Sequence, residues 1–234
     1  MEIIRRVYHR YCGGISLIDK NLVGRIGWSL PLATIILTTT IHLVTGNYRA
    51  FPFFISEADY PGLERIVFKV GFSVAGIVLI YVSWLLFTTC KDRSRWYWIY
   101  FSLIIGVIVG ANLTMMAIWD IYRFEKLHVF TASNVFQFGL AWGIVTHLAL
   151  KDASQKSKNL RYISISTAFI GFVGMIWSIS LGLEKYPEYV DGNWDLDKMQ
   201  PWINWAAPME YLLAFSFIFT LKSFEEELNH EGEE

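Results

Sequence analysis

A single glutamate, Glu210, interrupts an otherwise uncharged run from Met199 to Leu221, and a single lysine, Lys69, stands at the head of another that begins at Val70. An ionised group inside a bilayer costs ~3 kcal/mol on insertion scales, so such residues face the interior of a bundle and have partners. Glu210 reads either as a substrate or proton site or as a hydrogen-bond acceptor that locks helices. Lys69 can snorkel toward water or pair with a carboxylate, Glu210 among them. His42 lies near the end of the first uncharged run. His128 opens the fourth, just after Asp120 and Glu125. Imidazoles with carboxylates suit acid–base work or zinc, but no H-E-x-x-H spacing occurs and the two histidines belong to separate segments. No metal and no cofactor is therefore expected. Asn112, Asn134, Gln137 and His147 fit interhelical hydrogen bonding. There is no Walker sequence, no G-x-S-x-G, no Cys-x-x-Cys and no haem attachment motif.

The elements that must position these groups are long and apolar. Of 234 residues, 54% are hydrophobic and 18% charged, against about 25% charged in soluble domains. Uncharged runs extend over Ile26–Tyr48, Val70–Cys90, Trp96–Trp119, Leu127–Leu150, Tyr162–Leu183 and, apart from Glu210, Met199–Leu221. Each reaches the roughly 20 residues that cross a 30 Å hydrocarbon layer. The expected fold is all-α, a polytopic membrane bundle of six helices with spans at about 26–48, 66–90, 96–119, 127–150, 162–183 and 201–222. Residues 1–25 form a cytoplasmic amphipathic segment, and residues 223–234 an acidic, solvated tail. Of the 20 Lys and Arg, thirteen fall at the two ends and in the second and fourth connections, which puts both termini in the cytoplasm. The larger opposite loops, Asn47–Arg65 and Glu184–Gln200, are long enough to pack together as a small cap and have room for short strands. Gly71, Gly76, Gly106, Gly110, Gly171 and Gly174 lie within spans and mark close helix packing. Cys12 and Cys90 fall on the reducing side, so no disulfide is expected; Cys12 is a possible lipidation site. Net charge is −1, with no basic stripe for nucleic acid.

Three segments together resemble the Frag/DRAM/Sfk family of six-span membrane proteins. The first loop reads Pro52-Phe53-Phe54-Ile55-Ser56-Glu57, then Pro61-Gly62-Leu63-Glu64 and Phe68. It is similar to the family's Pro-x-Ile-Ser-Asp motif followed by Pro-Glu and a phenylalanine, with Glu57 in place of the Asp and the proline displaced. His128-Val129-Phe130-Thr131-Ala132 resembles the start of the fourth span. Ala206-Ala207-Pro208-Met209-Glu210-Tyr211, closing on Phe224-Glu225, resembles the last. The run Phe215-Ser216-Phe217 and the compact tail look closest to the autophagy-modulator branch. The resemblance implies membrane lipid handling. Relatives of this kind include autophagy modulators of lysosomal membranes, plasma-membrane regulators of phosphoinositide kinases and lipid asymmetry, and a Golgi factor for fatty-acid remodelling of GPI anchors.

The resemblance gathers Ser56, Glu57, Glu64, Lys69, His128 and Glu210 into one candidate lipid or substrate site in the outer half of the bundle. The leading expectation is a protein without its own chemistry that holds membrane lipid there, in a lysosomal, other internal or plasma membrane. The alternative is a GPI-anchor or other lipid-remodelling factor using the same groups as acid and base. A small transporter would need more than one acid along its path.

Overall fold

The computed structural model describes residues 19–150, 153–190 and 194–229. Most of the expected amphipathic segment, Cys12 included, and the last residues of the tail lie outside the described residues. Six long helices follow in order: α1 Lys20–Thr45, α2 Leu63–Cys90, α3 Trp96–Ile118, α4 Glu125–Ala149, α5 Gln155–Lys185 and α6 Leu196–Lys222. A short α7, Glu225–Asn229, is the last element among the described residues. α1 starts before its apolar run because Asp19 caps it, its carboxylate accepting from the Asn21 N–H at 2.9 Å. It stops at Gly46, whose φ of 72° closes the last turn in the left-handed region. Ser154 and Asp195 cap α5 and α6 in the same way as Asp19.

Five of the six long helices are long and apolar enough to cross a membrane. α6 falls below that measure because it carries Glu210, Asn204, Pro201 and Pro208 in its length. Polar residues within the helices are mostly satisfied locally. Thr34 donates to the Leu30 carbonyl, Thr38 to Thr34 and Ser83 to Leu79, each one turn back at 2.8 Å, which keeps their hydroxyls paired where water is absent. The outer surface is correspondingly oily: Ile36, Ile77, Trp84, Ile104, Phe169, Trp177 and Phe219 are all exposed. A surface of this kind is stable against lipid and not against water.

The helices close into a ring. α1 packs on α2, α2 on α3 and α3 on α4; α5 lies along α6, and α6 returns to α1. Glycines set the closest approaches. A Cβ on Gly110 would stand 2.7 Å from Ile80 Cγ1, and one on Gly171 would stand 2.8 Å from the Met209 carbonyl oxygen. The α2–α3 and α5–α6 backbones therefore touch where a larger residue would hold them apart. Asn134 donates to Asn112 Oδ1 at 3.1 Å between α4 and α3, and Trp142 Nε1 donates to Ser102 Oγ at 3.1 Å.

Two expectations are corrected. No strand occurs among the described residues; the two long loops instead hold 3-10 turns at Ile55–Ala58 and Pro187–Tyr189. The start of the tail is docked, not solvated. Leu228 and Glu227 are buried, and Glu225 pairs with Arg25 at 2.9 Å. Phe224 and Leu228 are the apolar residues that pull this stretch onto the bundle, and α7 packs against α1 and α2.

Candidate functional site

Inside the ring lies a cavity of about 110 Å³. α1 gives it Pro31 and Ile35; α2 gives Phe68, Phe72 and Leu79; α3 gives Val109, Leu113 and Met116. α4 runs along it from His128 to Trp142, and α6 from Glu210 to Leu221. α5 contributes nothing, since its packing is spent on α6. At one end the wall is made by Ile55 and Ser56, from the loop between α1 and α2.

That loop runs down alongside α6. Gln200 donates to the Pro52 carbonyl at 3.0 Å, and farther along the helix the Ile55 N–H donates to Glu210 Oε2 at 2.7 Å. Phe53, Phe54, Ile55 and Ala58 are buried, which is what drives an otherwise surface segment into the bundle. The turn is then pinned from several sides. Glu57 Oε1 accepts from the Phe54 N–H at 3.0 Å, Tyr122 donates to the Glu57 carbonyl at 2.8 Å, and Arg49 bridges Glu57 at 3.4 Å and Asp197 at 3.0 Å. Burial pushes the Glu57 carboxyl above its ordinary value, while the Phe54 N–H and Arg49 work against the rise. Burial likewise raises Tyr122, with the carboxylates of Glu57 and Asp59 adding to it.

The six residues singled out by sequence fall into two groups. Ser56, His128 and Glu210 all line the cavity. Glu57, Glu64 and Lys69 do not; they build the roof. Glu64 accepts from Asn47 at 2.6 Å and lies 3.6 Å from His42 Nδ1, both buried side chains. Lys69 pairs with Asp120 at 3.6 Å and not with Glu210, because α2 turns it toward the α3–α4 connection. Arg65 joins the same cluster, 3.6 Å from Asp120 and 3.4 Å from Asp59. Burial pushes Asp59 up to about 6, against the pull of Arg65 and Lys69.

Within the cavity, His128 is 1% exposed and Glu210 7%. His128 Nδ1 sits 2.8 Å from the Trp119 carbonyl oxygen. A carbonyl can only accept, so in the neutral ring the proton is assigned to Nδ1 and Nε2 keeps a lone pair. The remaining lining is hydrocarbon and aromatic, apart from Trp142 and Thr220 far from this end. A carboxyl, an imidazole and a hydroxyl thus share one end of a slot whose length is apolar. Such an arrangement suits holding an amphiphile by its polar end, and it also has the groups of an acid–base pair.

Sequence reasoning passes over a buried cation at the other end of the bundle. Arg161 reads as a loop cation but is fully buried at the opposite end of the bundle. It donates to Ser223 Oγ at 3.0 Å and to the Ser223 carbonyl at 3.1 Å, and it pairs with Glu227 at 3.2 Å. The signal available was the spacing of Phe224, Glu227 and Leu228, an apolar pair around an acid in a tail that otherwise reads as solvated.

No curated protein and no solved structure matches this chain. A family model does, over residues 21–230, which takes in all six long helices apart from Lys20 at the start of α1, the loop that descends to Glu210 and the docked tail. With that extent of agreement, the chain belongs to the Frag1/DRAM/Sfk1/Cwh43P N-terminal domain family.

Proposed function

We propose that this protein spans the membrane six times with both ends in the cytoplasm, and that it holds membrane lipid in the cavity beneath the 47–62 loop without chemistry of its own. The observation that carries this reading is the cavity's single polar end, where Glu210, His128 and Ser56 meet a wall that is otherwise apolar. α6 counts as the sixth span because it runs the length of the cavity beside α4 and packs on α5 throughout. A polar residue such as Glu210 is tolerated there because it turns inward and accepts a hydrogen bond. The Phe215-Ser216-Phe217 run favours the autophagy-modulator branch of the family, and with it a regulatory role at lysosomal or related membranes. Native mass spectrometry of the full chain, purified in mild detergent, tests the reading directly. A lipid adduct in the wild type that is lost when Ala214→Trp fills the cavity is the expected result; an adduct-free wild type overturns it. Cysteine labelling at the two ends of the chain from either side of sealed vesicles tests the topology.

The second reading is a lipid-remodelling factor, of the kind that acts on GPI anchors. It is favoured by the presence of a carboxyl, an imidazole with an unpartnered Nε2 and a hydroxyl among the groups that line the cavity. Acyl release by the purified protein, lost in Glu210→Gln, selects this reading over the first.

A further inference from the structure

The polar end of the cavity has an unfilled acceptor and no cation. His128 Nδ1 is committed to the Trp119 carbonyl, which leaves Nε2 as the ring's remaining polar atom. That atom is buried and has no hydrogen-bond partner, on a residue that is 1% exposed and lines the cavity. A lone pair left in this state is worth satisfying, and only a donor can do so. Glu210 adds a carboxyl group, with one oxygen already taken by the Ile55 N–H. None of the residues lining the cavity is Lys or Arg. A phosphate or carboxylate brought here would meet a carboxyl group and a lone pair with no cation to balance it.

The shape is as selective as the chemistry. From Glu210 to Leu221 along α6 is roughly 16 Å at 1.5 Å per residue. About 110 Å³ spread over that length is a slot one hydrocarbon chain wide. Its side toward the seam between α4 and α6 is closed by Phe217, whose ring lies 3.0 Å from where a Gly139 Cβ would stand and 6.3 Å, centroid to centroid, from Phe136.

We infer that the occupant is a single-chain amphiphile whose head donates hydrogen bonds and carries no negative charge, a monoacylglycerol or long-chain alcohol in chemical class. This rests on the reading of the cavity as a lipid site. The head donates to His128 Nε2 and Glu210, with Ser56 beside it, and the alkyl chain runs toward Trp142 and Leu221.

The test uses three probes with one chain: monododecanoylglycerol, methyl dodecanoate, which has no donor, and dodecanoate, which is anionic. Each is titrated into the full-length purified protein and read by native mass spectrometry. Monododecanoylglycerol is expected to bind roughly tenfold or more tightly than either of the others, as a site built for a hydrogen bond discriminates against ligands lacking it. In His128→Phe its advantage over the methyl ester should vanish. If that variant loses its cooperative melt, Glu210→Gln replaces it, keeping an acceptor for Ile55 while putting an amide N–H donor where the carboxyl stood; dodecanoate should then bind more tightly than in wild type, and no gain overturns the inference. Ala214→Trp, or Val135→Trp if the first does not fold, should abolish binding of all three. Dodecanoate or the methyl ester binding the wild type as well as monododecanoylglycerol overturns the choice of head and leaves the lipid cavity standing. Failure of every probe to bind the wild type removes both.

Discussion

Arg161 of α5 and Glu227 of the C-terminal helix meet at 3.2 Å with 0% and 2% of their side chains exposed. The guanidinium also lies 5.0 Å from the centre of the Phe224 ring, and Arg93 donates to the Glu227 backbone carbonyl at 2.9 Å. Glu226 accepts from Ser154 at 2.6 Å and also from Ser157. The tail therefore fastens the start of α5 to the end of α6 and to the α2–α3 connection.

Removing one partner of this pair leaves a buried charge alone. Glu227→Ala should destabilise the protein by about 3–5 kcal/mol, while Arg161→Met combined with Glu227→Leu should recover most of the loss. Thermal melting in detergent checks this; a Glu227→Ala protein that melts with the wild type would show that the pair holds nothing.

Glu210 makes a second, more specific prediction through Ile55. Glu210→Ala leaves the Ile55 N–H buried without an acceptor, at a cost of about 1–3 kcal/mol, whereas Glu210→Gln keeps an oxygen in place. Hydrogen exchange at the Ile55 amide should accelerate in the alanine variant and stay near wild type in the glutamine variant. Equal protection in all three proteins contradicts the assigned bond.

Gly110→Leu should separate α2 from α3, because the new side chain would begin 2.7 Å from Ile80 Cγ1 and 3.0 Å from the Ile80 nitrogen. Overpacking of this kind costs about 1–3 kcal/mol. The comparison is Leu148→Ala, on the exposed face of α4, which should leave the melting temperature within a degree or two of wild type, about what an exposed substitution produces.

The roof of the cavity carries a pH dependence. Burial raises Asp59 from 3.8 to about 6, with Arg65 and Lys69 lowering it and Asp120 raising it. A carboxyl that holds its proton more tightly when folded adds stability in acid. That contribution is lost as pH climbs from 3.8 toward about 6 and is constant above. Melting curves of wild type and Asp59→Asn across this window provide the readout: the stability of wild type relative to the variant should fall as pH rises. A difference that grows with pH would reverse the sign and reject the buried, raised state.

Much of this was open to inspection in the chain itself. The helices follow from uncharged length, and Glu210 is conspicuous because a charge in such a run has to be explained. What holds it is not conspicuous. Ile55 contributes only its backbone N–H, from 155 residues away, and no side-chain pattern advertises a backbone donor. Lys69 shows the same limit, since its carboxylate is chosen by the rotation of α2 about its axis, and Asp120, Glu64 and Glu210 are equally available on paper. Arg161 is hidden by position: next to a connection it looks like any loop cation, and only the folding back of Phe224 and Leu228 buries it. Helices are encoded locally, whereas the pairing of scarce charges depends on which faces meet.

The hydrogen bond from Ile55 to Glu210 ties a segment at one surface of the bundle to a group inside the cavity. A molecule in the cavity that competes for Glu210 loosens the turn above it, and a molecule at the surface that steadies the turn withholds Glu210 from the cavity. The two effects must be equal in size, because each is the same free energy read from opposite ends. An occupant that took Glu210 from Ile55 would in that sense be read out at the roof, with no helix having to shift.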